Sequence, residues 1–139
     1  MNPLQSLADY ERFVYRLQQR YPSIRRSTLT VIRRGATVAR ITGDLEIDDF
    51  RITVREKLSF VDQPGQIVSY GYEVWQGATK LYWYDSQPHP DDPRLAATDP
   101  HHKHVPPDIK HHRVAAPDLS FTEPNLPFLI QEVEQLLKP

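Results

Sequence analysis

Nine of the thirteen prolines lie between Pro88 and Pro127, and this asymmetry limits where regular structure can run. Proline has no backbone N–H and a fixed φ, so neither a long helix nor a central strand is expected through that stretch. Regular elements are confined to what precedes and follows it. Leu7, Tyr10, Val14, Leu17 and Tyr21 recur at spacings of three and four, which predicts an amphipathic helix over about Leu4–Arg20, ended by Pro22. The period then becomes two. Thr28–Arg33 and Thr37–Ile41 flank a turn at Arg34-Gly35-Ala36, Phe50–Arg55 alternates apolar and polar, and Gln66–Gln76 and Thr79–Asp85 are separated by Gly77-Ala78.

Pro127–Leu137 has the spacing of a short closing helix, with Phe128, Leu129, Val133, Leu136 and Leu137 able to face a sheet. The expected fold class is α+β. An antiparallel meander of four to five strands would be packed by an N-terminal and a C-terminal helix, with a long Pro/His-rich irregular segment between sheet and last helix. At 139 residues the chain has the size of one domain, 1–139, divided into helix 1–21, sheet 27–86, irregular segment 87–125 and helix 126–138. An irregular segment of such length is usually either functional or disordered, and Leu119, Phe121, Leu126 and Phe128 give it apolar groups with which to dock.

The absence of cysteine removes disulfides, thiolate catalysis and cysteine-based zinc fingers, leaving His, Asp and Glu as side chains able to hold a transition metal. No eighteen-residue apolar run and no signal-peptide pattern is present, so the expectation is a cytoplasmic protein with no membrane contact. The net charge of −1 conceals an asymmetry: residues 1–60 hold eleven Lys/Arg against seven acids, and residues 61–139 hold six against eleven. A basic half can present one face to nucleic acid or to an acidic partner, although the whole chain is far from strongly basic.

Strand alternation shows where that face lies. With residue numbers summing to about 128 across the turn at 63–65 and to about 155 across Gly77-Ala78, one face collects Phe50, Ile52, Val54, Glu56, Leu58 and Phe60. Val68, Tyr70, Tyr72, Val74, Leu81, Trp83 and Asp85 join it as the core side. The opposite face carries Arg51, Arg55, Lys57, Glu73, Trp75, Lys80, Tyr82 and Tyr84. Cations interleaved with aromatic rings can follow phosphates and stack bases, so Arg51, Arg55, Lys57, Lys80, Tyr82 and Tyr84 are candidate nucleic-acid contacts. A solvated or partner-covered face explains the same alternation. Glu56 and Asp85, carboxylates on a core face, each call for a partner and are candidates to orient a histidine.

All six histidines fall between His89 and His112. Imidazole titrates near neutral pH and serves as acid, base or metal ligand, so His101, His102, His104, His111 and His112 are candidate catalytic groups, with Lys103, Lys110 and Arg113 as phosphate contacts. In metal-free ribonuclease chemistry one imidazole removes the 2′-hydroxyl proton, another protonates the leaving 5′-oxygen, and a cation stabilises the charged phosphorane. Metal ligation is an alternative: His102-Lys103-His104 puts two imidazoles on one side of an extended chain, and His111, His112, Asp85, Asp108 or Glu56 could complete a set. A loop whose imidazoles bond backbone groups freed by proline is a third. The spacing alone is a weak signal, and neither a metal nor a cofactor is assigned. No phosphate-binding glycine loop, dinucleotide motif, nucleophile elbow or H-E-x-x-H is present.

Tyr72-Glu73-Val74-Trp75, Leu81-Tyr82-Trp83-Tyr84-Asp85, Pro88-His89-Pro90, Pro100-His101-His102-Lys103-His104, Pro106-Pro107 and Pro124-Asn125-Leu126-Pro127-Phe128 together resemble the TumE-type toxin family of bacterial toxin–antitoxin systems. The resemblance spans about residues 72–130 and implies a toxin with a cognate antitoxin as tight partner. It carries His101, His102, Lys103 and His104 over as motif positions. It does not choose between RNA cleavage and another inhibitory activity, nor decide on a homodimer. The leading expectation is a toxin acting on RNA by histidine acid/base cleavage, a metal-independent endoribonuclease. The alternative is a non-catalytic protein- or nucleic-acid-binding module whose histidine segment is structural or metal-binding.

Overall fold

A computed structural model describes residues 2–86, 100–108 and 112–138. After a short 3-10 turn at Pro3–Gln5, the expected N-terminal helix forms in two pieces, α1 (Leu7–Tyr15) and α2 (Leu17–Arg20), broken where Arg16 leaves helical geometry. Ser6 caps α1 by accepting from the Asp9 N–H, and Leu7, Tyr10, Val14 and Leu17 are buried, the face that the three- and four-residue spacing marks.

Eight strands follow among the described residues: β1 (Arg26–Ser27), β2 (Thr30–Arg33), β3 (Val38–Ile47), β4 (Phe50–Ser59), β5 (Gln66–Gln76), β6 (Thr79–Asp85), β7 (His102–His104) and β8 (Arg113–Ala115). They form one antiparallel sheet in the order β1-β3-β4-β5-β6-β7-β8, with β2 beside β1 on the same edge of β3. Helix α3 (Leu126–Leu136) closes the chain. The meander is wider than the four to five strands expected because the Pro/His-rich segment supplies two more and Arg26–Ser27 adds a short one beside β3. Between Pro100 and Pro106 the triplet His102–His104 keeps every backbone N–H, so β7 is an interior strand bonded to β6 and β8.

Both long helices lie on one face of the sheet. Leu126, Leu129, Ile130 and Val133 join Leu7, Tyr10 and Val14 against Ile41, Leu45, Ile52, Val54, Leu58 and Val74 in one apolar cluster. Among the described residues no helix covers the opposite face, which carries Arg40, Arg51 and Arg55. Two bulges revise the expected register. Glu56 stands opposite Tyr70, and a shift at Lys57/Leu58 puts Ile67 in the core and leaves Val68 exposed. A shift at Val74/Trp75 makes Leu81 the extra residue, so Val74 faces Tyr82 and Trp75 faces Lys80. One inserted residue inverts every side chain beyond it: Tyr82 and Tyr84 are buried beneath the helices, while Trp83 and Asp85 turn to the other face. This corrects the face assignment of all four.

Candidate functional site

The helix-free face is organised in rows that cross the strands. Arg55 stands opposite Gly71, Gly71 opposite Asp85, and Asp85 opposite His102. The adjoining row runs Thr53, Glu73, Trp83, His104 and Arg113. Directly opposed residues share a face, so the register brings Asp85, His102, His104 and Arg113 together from three strands.

Both histidines direct Nε2 at one carboxylate. His102 Nε2 is 2.5 Å from Asp85 Oδ1, and His104 Nε2 is 3.4 Å from Asp85 Oδ2. The rings meet edge to face with centroids 4.9 Å apart, and Trp83 packs edge-on against His104 at 4.6 Å. The imidazoles are buried, whereas the Asp85 side chain is 29% exposed, so the carboxylate is the accessible side of the group. Nε and Nη1 of Arg113, beside His104 in register, are buried and have no hydrogen-bond partner among the described residues. An arginine in that state is suited to an incoming anion.

Gly71 separates Arg55 from Asp85, and the guanidinium occupies the space a side chain would take. A Cβ at Gly71 would come within 2.5 Å of Arg55 Nη2. A lone glycine in a strand is a signal of such a close approach. Next to it lies a groove of about 230 Å³ whose polar lining includes Arg40, Thr42, Arg55, Lys57 and Ser69. On the other flank Lys80 Nζ is 2.9 Å from Glu73 Oε2 and 4.0 Å above the Trp83 ring, and Arg51 lies 5.1 Å over Trp75. Burial pushes the Glu73 carboxyl up, but Lys80, Trp75 and Arg55 together hold it below the usual carboxylate range.

Other candidates lie elsewhere. Glu56 is on the helix side, where Tyr10 donates to Oε1 at 2.6 Å and Tyr72 to Oε2 at 2.5 Å, so it cannot orient these histidines. Lys103, between the two histidines, points the opposite way by strand alternation. It pairs with Glu132 of α3 at 3.3 Å and lies over the rings of Tyr82 and Tyr84. His101 shares that side: it stacks on Tyr70 and packs at a tilt against Phe121, with Nδ1 2.7 Å from the Tyr70 hydroxyl. Burial, and then the neighbouring His102, keep its imidazole below the ordinary histidine range. His112 is exposed, its Nδ1 3.1 Å from the Pro106 carbonyl oxygen. His89, Lys110 and His111 lie outside the described residues. The sequence reading missed Arg40, Gly71 and the outward turn of Trp83. The alternation through β3 carried the signal for Arg40, and the isolated glycine carried the signal for Gly71.

Fold and site together describe an α+β protein with a basic, helix-free sheet face bearing an aspartate–histidine centre. A family model described as Toxin TumE matches residues 12–137, and the chain belongs to that toxin family. No curated protein and no solved structure matches it. No described helix is long and apolar enough to cross a membrane.

Proposed function

We propose that the chain is the toxin of a toxin–antitoxin pair and inhibits growth by cleaving RNA on the helix-free face of its sheet. The observation that carries this reading is the convergence of His102 and His104 on Asp85, one row from the unpartnered N–H groups of Arg113. Arg40, Arg55 and Lys57 line the groove that leads to Asp85's row and follow the phosphates, while Trp75 and Trp83 offer rings to bases.

In the reaction one imidazole takes the 2′-hydroxyl proton as that oxygen attacks phosphorus. The P–O5′ bond breaks to leave a 2′,3′-cyclic phosphate, and the second imidazole protonates the departing 5′-oxygen. Asp85 fixes ring orientation and tautomer, and Arg113 stabilises charge on the phosphorane. Lys103 and Glu56, on the other face, take no part. A cognate antitoxin that covers this face would silence the toxin by excluding RNA.

Induced expression of the wild-type chain and of a His102→Ala/His104→Ala variant, with growth and total RNA followed in the same cultures, tests the reading. Arrest with RNA fragmentation is expected for the wild type alone. A folded variant that still arrests growth would remove the histidines from the mechanism.

A further inference from the structure

We propose that Asp85, His102 and His104 form a binding site for one divalent transition-metal ion of the zinc type. Their donor atoms, one carboxylate oxygen and two imidazole nitrogens, lie within 4.8 Å of one another. Ligands about 2.0–2.2 Å from a tetrahedral zinc are roughly 3.3 Å apart, so small side-chain rotations bring this set to ligation distance.

The backbone supplies the arrangement. His102 and His104 are alternate residues of an interior strand and must project to the same side, and Asp85 is the direct partner of His102 on the neighbouring strand. Hydrogen bonding on both edges of β7 fixes the spacing of the two histidines in the sheet. Two imidazoles and a carboxylate, without thiolate, suit zinc, cobalt or nickel, whereas magnesium and calcium require oxygen-rich sites. The rings are buried and Asp85 is partly exposed, so the remaining coordination positions open on the Asp85 side, next to Arg55 and Gly71.

The site coincides with the centre of the proposed RNA cleavage, and one consequence rests on that reading. An ion held by both Nε2 atoms replaces the hydrogen bonds through which Asp85 sets ring orientation and tautomer, and its charge makes both rings poorer bases. Metal loading therefore lowers cleavage by the loaded protein.

Full-length protein, purified without a histidine tag and stripped with a chelator, is titrated with Zn²⁺ against a chromophoric competitor, with circular dichroism as a check of fold. One ion per chain is expected. Affinity should fall by roughly a hundredfold in His104→Ala and in the shape-conserving Asp85→Asn, and millimolar Mg²⁺ or Ca²⁺ should not compete. Stoichiometry near zero, or a site that survives both substitutions, would overturn the proposal. The titration contains no RNA, so a protein that binds zinc in it but, when stripped of metal, leaves RNA intact refutes the cleavage reading and not the site. A protein that cleaves RNA without taking up zinc does the reverse. Cleavage that rises with zinc occupancy would overturn the expected inhibition and the metal-free proton-transfer mechanism with it.

Discussion

Glu56 lies buried on the helix side of the sheet, remote from the aspartate–histidine centre. Its carboxylate is buried beneath α1, with a tyrosine hydroxyl on each oxygen, and Asn125 Nδ2 donates to the Tyr72 hydroxyl at 3.1 Å. Burial raises the Glu56 pKa above the usual value and outweighs the two hydroxyl bonds, which pull it down. The same burial, with Glu56 alongside, pushes both tyrosines well above theirs. A folded-state pKa above the unfolded one stabilises the fold at pH below the unfolded value, and that contribution is lost as pH rises through the folded pKa. Glu56→Gln, which mimics the neutral acid, should therefore become more stable relative to wild type as pH is raised from 4. Urea midpoints at pH 4, 5.5 and 7 measure the difference, and a gap independent of pH would show that folding leaves the Glu56 pKa unshifted.

At the level of elements, bulges and close approaches decide which face a side chain meets. Leu81, inserted opposite Val74 and Trp75, turns Trp83 and Asp85 toward the histidines and buries Tyr82 and Tyr84 beneath α3, where Tyr84 donates to Glu132 at 2.7 Å. Gly43 performs a comparable task at the other edge. Its φ of +136° suits glycine alone, and a Cβ there would lie 2.4 Å from the Thr28 carbonyl oxygen, on the stretch that joins β1 to β2. Gly43→Ala combines backbone strain with a clash against main chain. A loss of about 2–3 kcal/mol in unfolding free energy is expected by chemical denaturation. An unchanged midpoint would mean that the β1–β2 connection yields without cost.

Across the whole molecule the sheet separates two environments. Helices, Glu56 and Lys103 occupy one side, and Arg40, Arg55, Arg113, Asp85, His102 and His104 the other. If RNA binds the helix-free side, affinity should fall as salt rises, because each neutralised phosphate of a single strand contributes a slope of about −0.7 in log K against log salt. An Arg40→Ala/Arg55→Ala/Lys57→Ala variant should flatten that slope by about 2, measured by fluorescence anisotropy on a short single-stranded RNA. A slope equal to wild type would place the binding surface elsewhere.

The α+β class, the N-terminal amphipathic stretch, β4 to β6 and the closing helix were legible in the sequence because each depends on local periodicity and on glycine and proline punctuation. So were the basic face of β4 and the side shared by His102 and His104, since alternation along one strand needs no partner. The pairing of Asp85 with those histidines, the placing of Glu56 on the far side from them, and the burial of Tyr82 and Tyr84 were decided only in the tertiary structure. Each depends on register between strands. A single bulge residue, whose position local periodicity does not reveal, inverts that register's consequences from one face of the sheet to the other.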